Sequence, residues 1–372
     1  MKKIIISVTN DLVSDQRVHR TALTLHEAGI KVILVGRILP NSLPLPERPY
    51  KMHRMKVPFR KGFLFYKTYN IWLFFFLLFR KSDGLISNDL DTLPANFVIS
   101  KIKSVPLVFD SHELFTEVPE LVNRPFVKKI WTIIEKLILP RIKFGYTVCN
   151  SIADLYRNKY NVDFAVIRNL PFRNNSLTSE SAFFDKSKRI IMYQGSLNIG
   201  RGIELVMDAL KYLDNVHFVI AGEGDISKEL HERAKLPGLE GKIHFLGRMP
   251  FNELSKYTIQ ADLGISLEEN LGMNYYYALP NKLFDYIQAQ VPVLTSDFPE
   301  MSAIVSKYKI GISTNERDAE KLSIIINQIF EDKATINVWK ENLKPASKEL
   351  CWEKEKEKLI TVIKNAGFIK NH

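Results

Sequence analysis

Residues 190–225 read IIMYQGSLNIGRGIELVMDALKYLDNVHFVIAGEGD, and the rhythm inside them decides the fold class. Residues 190–193 are a continuous apolar run, as a strand buried on both faces requires. A glycine-bearing loop, Gln194 to Gly202, leads into residues 202–213, whose apolar side chains recur at helical spacing. A second apolar run at 217–221 ends in another glycine turn, Ala221-Gly222-Glu223-Gly224-Asp225. Strand, helix, strand in this order is the repeating unit of a parallel sheet covered by helices.

The rhythm continues outward in both directions. Beyond it, the pattern predicts helices at 226–234, 251–257 and 281–289 and strands at 243–246, 263–266 and 292–295. Before it, residues 4–8 form an apolar run and 14–28 a helical pattern ended by Gly29. Residues 31–35 read as the next strand, and short buried runs recur at 85–87, 106–109, 146–149 and 164–167. The polar segment 174–188, NNSLTSESAFFDKSK, interrupts the rhythm and reads as a linker. The expectation is an α/β protein of two doubly wound parallel-sheet domains facing a cleft, 1–172 and 189–349, joined by 173–188. The chain ends in a charged amphipathic helix at 352–363.

A length of 372 residues fits two domains, and 46% hydrophobic with 25% charged residues is ordinary globular composition. That disfavours disorder, collagen-like repeats and coiled coil. Two cysteines, Cys149 and Cys351, make no disulfide framework and fall short of a zinc site, which fits a reducing, cytoplasmic compartment. The amino-terminal stretch turns acidic with no small-residue cleavage site, so it reads as a strand and not a leader. The longest uncharged apolar run, IWLFFFLLF at 71–79, makes a helix of about 14 Å against a hydrocarbon core of about 30 Å. It does not cross a membrane.

Charge is unevenly placed. Residues 1–180 hold 27 Lys and Arg against 15 Asp and Glu, and residues 181–372 hold 25 against 26. The whole excess of +11 therefore belongs to the first half, as if that half met an anionic surface. In 51–81, Lys51, Arg54, Lys56, Arg60, Lys61, Lys67, Arg80 and Lys81 bracket Phe63, Phe65, Tyr66, Trp72 and the Phe74–Phe76 run. Residues 126–144 mix Lys128, Lys129, Lys136, Arg141 and Lys143 with an apolar face. Such helices suit an anionic bilayer surface, and they also suit ordinary core packing. No nucleic-acid motif accompanies the charge, so no nucleic-acid partner is expected.

Ligands of open parallel sheets lie beyond the carboxyl ends of the strands, so the loops after strands carry the candidates. In the first such loop of the second half, Gly195 and Ser196 precede Arg201, which opens a helix suited to a phosphate. Gly222 and Gly224 form the next turn. In Pro280-Asn281-Lys282-Leu283-Phe284-Asp285, Pro280 reads as a first helical residue. The amides near Asn281 to Leu283 and the Lys282 charge would meet a diphosphate, and Asp285, one turn on, a ribose. Each of these loops has a bland alternative as a simple turn or a surface face. In the first half, His112 and Glu113 follow the strand at 106–109, while Asn10, Asp11 and Arg17 follow the first strand. Asp89-Leu90-Asp91 looks like a metal-binding pair, but so short a pattern is common by chance and no metal is expected. The first turn lacks Gly-x-Gly-x-x-Gly and no Walker loop occurs, which argues against a dehydrogenase.

In this order and spacing, YQGSLNIGRGIELVMDAL, FVIAGEGD, IHFLGRMPFNEL, ADLGISL and LPNKLFDYIQAQVPVLTSD resemble the donor domain of glycosyltransferase family 4. SDQRVHRTALTLHEAGIKVILVGR and ISNDLDTLPANFVISKIKSVPLVFDSHELFTEVPEL resemble that family's amino-terminal domain. The resemblance implies a GT-B fold of two Rossmann-like domains, with residues 350–372 crossing back onto the first. It implies a retaining transfer without metal or other cofactor, from a UDP- or GDP-sugar to a saccharide or lipid-linked acceptor, in cell-surface polysaccharide assembly. Catalytic roles fall on His112, Arg201, Lys282 and Asp285. Donor contacts fall on Gly195, Ser196, Gly222, Gly224, Arg248, Met249, Pro280, Asn281 and Leu283. Asn10, Asp11, Arg17 and Glu113 are placed on the acceptor side. The first acid of the family's Glu-x7-Glu motif would fall on Tyr277, with Glu268 and Glu269 nearby, and Ser196 stands where the family often has Arg. A peripheral place on the inner face of the cell membrane follows if the acceptor is lipid-linked. A nucleotide-sugar 2-epimerase and a non-catalytic nucleotide-sugar-binding partner are the other readings.

Overall fold

The computed structural model describes residues 1–369 apart from 14, 41, 119–120, 122–123, 175–182 and 186. Most of the expected linker therefore lies outside the described residues. The chain divides into two compact units. One comprises Met1–Asn169, Gly272–Asn274 and Glu353–His372, the other Leu170–Leu271 and Tyr275–Trp352.

In the first unit, β1 (Lys3–Ser7), β2 (Lys31–Arg37), β3 (Lys51–Met55), β4 (Gly84–Asn88), β5 (Leu107–Ser111), β6 (Phe144–Thr147) and β7 (Ala165–Val166) form one sheet. Their order is β3-β2-β1-β4-β5-β6-β7 and every pairing is parallel. Ile5 stands opposite Ile33 on one side and Leu85 on the other. The helix Gln16–Glu27 begins where Asp15 accepts the Val18 amide and ends before Gly29, whose φ of +80 only glycine adopts at little cost.

In the second unit, β8 (Arg189–Gln194), β9 (Val216–Ala221), β10 (Ile243–Gly247), β11 (Leu263–Ser266), β12 (Val293–Ser296) and β13 (Gly311–Thr314) lie in the order β10-β9-β8-β11-β12-β13, again all parallel. The core shows why these runs are apolar throughout. Ile191, Tyr193, Phe218 and Ile220 pack on one face with Val206 and Ile326, while Ile190, Met192, Val219 and Ala221 pack on the other with Phe284 and Met301. Side chains alternate across the sheet, yet both sides are buried.

Each strand order reverses once, between β1 and β4 and between β8 and β11. Those reversals are where loops diverge to opposite faces and leave room for a ligand. The closing helix, Trp352–Asn365, is held on the first unit by Glu355, which accepts the Arg168 amide at 2.8 Å.

Several elements depart from the sequence pattern. The run at 71–79 is only part of a longer helix, Gly62–Leu78. β3 and β13 went unread, and the Asp89-Leu90-Asp91 pattern opens the helix Asp89–Lys103. The helix after Arg201 runs only over Ile203–Ala209, because residues 210–212 tighten into a 3-10 turn.

Candidate functional site

In the second unit the loops after β8, β9 and β11 approach one another closely enough to need glycine. Gly222 has φ +145, and a Cβ there would overlap the Gly195 carbonyl oxygen. Gly202, at φ +72, lies against the Leu267 carbonyl oxygen in the same way. Side chains are thereby excluded from the strand ends, and the backbone itself forms the floor.

Three charged side chains converge across the β8/β11 reversal. Glu268 is 0% exposed, and its Oε1 lies 2.7 Å from Lys282 Nζ and 3.8 Å from Arg201 Nη1. Its Oε2 accepts the Ser266 hydroxyl at 2.8 Å. Burial alone would raise the Glu268 carboxyl; the neighbouring Lys282, then Arg201, outweigh it and hold it below its ordinary value. Lys282, 7% exposed, lies 4.3 Å over the Tyr193 ring, and its chain passes beside Gly195. Arg201 covers the Tyr275 ring at 4.6 Å, and its buried Nε has no hydrogen-bond partner among the described residues. Two cations at the mouth of a parallel sheet, stacked on tyrosines and tied to one carboxylate, can receive a diphosphate.

A cavity of about 360 Å³ opens at the ends of β9 and β10, lined by Leu197, Gly222, Glu223, Ser227, Phe245 and Gly247 among others. His231, also in its wall, lies over Phe245 with ring centroids 3.9 Å apart. Arg248 and Met249 follow this wall directly, the first exposed and the second half-buried. Asp285 accepts Gln194 Nε2 at 2.9 Å, which fixes it at the end of β8.

Three donor-side expectations need correction. Pro280 precedes the helix Asn281–Gln288 as its cap, with ψ 140, and is not its first residue. The Leu283 amide is spent on the Pro280 carbonyl at 3.1 Å, and its side chain is fully buried in the core. Lys282 does not stand among outward amides; it turns inward to Glu268. Ser196 is exposed and only its carbonyl is engaged, by the Tyr193 hydroxyl at 2.7 Å.

In the first unit the candidates gather after β4 and β5. His112 Nε2 lies 3.1 Å from both Asn88 Oδ1 and Asp110 Oδ2, and Nδ1 lies 3.3 Å from Asp89 Oδ2. Asp89 also accepts the His112 amide at 2.8 Å while held at φ +56, an uncommon conformation for an aspartate. Burial would lower the imidazole; Asp89 and then Asp110 outweigh it and push it up to about 9. Asp110 is held at about 2: burial opposes its charge, but Arg17 and His112 prevail. Arg17 corrects another expectation. It is 4% exposed, with Nη2 2.6 Å from Asp110 Oδ1 and Nη1 on the Ile167 carbonyl, so it braces the strand ends and does not reach outward.

Asp11 is likewise turned inward. It accepts the Val13 amide at 2.9 Å and the Ser42 hydroxyl. Asn10 is exposed and donates to Asp15 at 3.0 Å, and Glu113 is half-buried just after β5. Glu268 and Asp89 were noted in the sequence only beside a motif and as a chance metal-like pair, and Asp110 was not among the candidates. For Glu268 the available signal was an acid two residues past a strand end, obscured by matching it to a motif of different spacing.

Two doubly wound parallel sheets with their loops gathered at the strand reversals define the class, a GT-B protein. Residues 175–345 match the family described as glycosyl transferases group 1. It is 22% identical over 295 residues to chitobiosyldiphosphodolichol beta-mannosyltransferase of Candida albicans, covering 70% of this chain and 64% of that protein. It thus spans less than two thirds of that relative's length. It is 24% identical over 326 residues to GalNAc-alpha-(1->4)-GalNAc-alpha-(1->3)-diNAcBac-PP-undecaprenol alpha-1,4-N-acetyl-D-galactosaminyltransferase of Campylobacter jejuni, covering 83% of this chain and 84% of that one. The solved structure of Anabaena HepE in complex with UDP-glucose superposes with a TM-score of 0.75 at 14% identity, over 98% of this chain and 100% of that one. At that identity the likeness is one of fold.

Proposed function

We propose that this chain is a retaining glycosyltransferase that moves a sugar from a nucleotide diphosphate to a lipid-linked saccharide in cell-surface polysaccharide assembly. The Arg201, Lys282 and Glu268 cluster, together with the glycine-floored cavity, carries the reading. On this reading the two cations meet the leaving diphosphate, and the base enters the hollow walled by Leu197, Glu223, His231 and Phe245. The leaving group's charge is then met by side chains, so the reading calls for no metal. A UDP- or GDP-sugar is the donor, with ribose on Asp285 and the base toward Gly247, Arg248 and Met249.

The names of the two curated relatives carry linkages of opposite anomeric sense, so the stereochemistry rests on this chain's own groups. His112, pushed up to about 9 beside the ionised Asp110, is charged at neutral pH and is not available as a general base. The leaving diphosphate oxygen is then the proton acceptor, as in a front-face displacement that retains configuration. The lipid-linked substrates in both relatives' names support the acceptor class, and the basic, aromatic helices of the first unit support a cytoplasmic, membrane-surface location. Among the described residues no helix is long and apolar enough to cross a membrane.

The test is a binding and turnover panel of UDP, GDP, ADP and their sugars on wild type and Arg201→Ala. Losing one charge-stabilising donor costs on the order of 2.7–4 kcal/mol of barrier, so Arg201→Ala is expected to lose at least about 100-fold in rate. One nucleotide class should raise the melting temperature of the wild type and do so less in the variant. Turnover near wild type in Arg201→Ala removes the diphosphate assignment. Nucleotide binding without transfer to any acceptor favours a binding partner, and release of a free epimerised sugar favours an epimerase.

A further inference from the structure

The reading of Arg201 and Lys282 leaves a buried anion unexplained. Glu268 is fully buried, and so nearly is Lys282. Buried ion pairs are weak contributors to stability compared with apolar residues of the same volume, so stability alone gives no reason for one here. Its surroundings are also over-determined. The Glu268 carbonyl accepts Ser296 Oγ at 2.6 Å and Arg317 Nη2 at 2.7 Å, while its carboxylate takes Ser266, Lys282 and Arg201. Donors from the end of β12 and from beyond β13 thus fix the Glu268 backbone, while those from the end of β11 and from the helix Asn281–Gln288 fix its carboxylate.

We propose that Glu268 is a positioning residue for the diphosphate, holding Lys282 in fixed register with Arg201 and Gly195. This rests on the diphosphate reading of those two cations. The electrostatics follow simply. Arg201 and Lys282 alone would place two like charges side by side in a poorly solvated site, and each would be pushed away from the other. One carboxylate between them leaves a net single positive charge, enough to attract a diphosphate and small enough to keep both cations in place without ligand. Tyr193 beneath Lys282 and Tyr275 beneath Arg201 then limit where each head group can move.

The experiment compares Glu268→Gln, Glu268→Asp, Lys282→Met and the double variant Glu268→Gln/Lys282→Met in the full chain. Calorimetry reads affinity for UDP and GDP, and for uridine and guanosine as probes without phosphate. Glu268→Gln is expected to weaken the nucleoside diphosphate at least tenfold and leave the nucleoside unchanged. Glu268→Asp, which keeps the charge, should retain more diphosphate affinity than Gln and serves where Gln folds poorly. The double variant should bind no worse than Lys282→Met alone, because Glu268 acts through that lysine. Additive losses in the double variant, equal losses for nucleoside and diphosphate, or unchanged diphosphate affinity in Glu268→Gln would each overturn the proposal. If Arg201→Ala weakens the diphosphate while Glu268→Gln does not, only the role of Glu268 falls. If Arg201→Ala and Lys282→Met leave it unchanged, the diphosphate reading falls with it.

Discussion

At the scale of single residues, His112 ties the chemistry of the first unit to its stability. Its imidazole is raised from an ordinary value near 6.5 to about 9 by the carboxylates of Asp89 and Asp110. A group whose folded value is raised stabilises the protein below its unfolded value, and that stabilisation fades as pH rises through the folded value. The His112 contribution is therefore present at pH 6 and fades as pH rises through about 9, the range in which buried Asp89, itself pushed up to about 8, also gives up its proton. Thermal unfolding of wild type and His112→Gln across pH 6 to 10 checks this. The gap in melting temperature should be widest at pH 6 and narrow toward pH 10; a gap that widens with pH contradicts the assignment. The same two carboxylates explain why the residue was recognised from its position after a strand while its charge state was not. Asp110 lies two residues away, but Asp89 comes from another strand end, 23 residues back.

At the scale of elements, what could be read from the sequence was whatever is buried on both faces. β8, β9 and β11 announce themselves as apolar runs because helices cover both sides of the sheet. β3 does not, since Lys-Met-His-Arg-Met is an edge strand paired only with β2 and mostly open to solvent. The helix Gly62–Leu78 escaped for a different reason. It buries Phe65, Tyr69, Leu73 and Leu77 along one stripe while exposing Leu64, Ile71, Trp72 and Phe75, so no apolar period stands out. The site follows the same logic. Arg201 and Lys282 sit in loops whose glycines and prolines mark them, but their meeting on Glu268 joins residues 67 and 14 positions apart across a strand reversal. Those loops are also where a small change should be felt most. Gly222→Ala places a methyl on the Gly195 carbonyl oxygen at a φ that alanine rarely adopts, and the obstacle is backbone that cannot swing away. A cost of about 1–3 kcal/mol is expected, with UDP or GDP affinity reduced alongside. Gly241→Ala is the contrast, strained in φ but with nothing within 4 Å of the new carbon. If the two variants melt together and bind nucleotide equally, the close approach of the β8 and β9 loops is not what shapes the floor.

At the scale of the whole molecule, the charge asymmetry and the exposed aromatics point to the same surface. The excess of Lys and Arg lies in residues 1–180, and Arg60, Lys61, Lys67, Arg80, Lys81, Lys129 and Lys136 are all exposed. The helices Gly62–Leu78 and Pro125–Ile138 meet through Tyr66 and Trp131, whose rings lie 5.1 Å apart edge to face. Between them they leave Phe63, Phe75, Phe79 and Phe126 at 50% exposure or more. Exposed aromatic rings on two helices that also carry or adjoin exposed cations are costly in water and suited to the headgroup region of an anionic bilayer. Each basic residue near such a surface contributes about 1 kcal/mol, so the exposed cations and rings together are ample for reversible docking. The two forces can be separated by salt, because the screening length falls from about 10 Å at 0.1 M to about 3 Å at 1 M while apolar insertion persists. The chain should sediment with phosphatidylglycerol vesicles at low salt and less so at 1 M salt. Phe75→Ser with Phe79→Ser should release more of it, with nucleotide affinity unchanged. Neutral phosphatidylcholine vesicles should hold little. No sedimentation with anionic vesicles at low salt would mean that this face meets something other than a membrane, and the lipid-linked acceptor would lose its structural support.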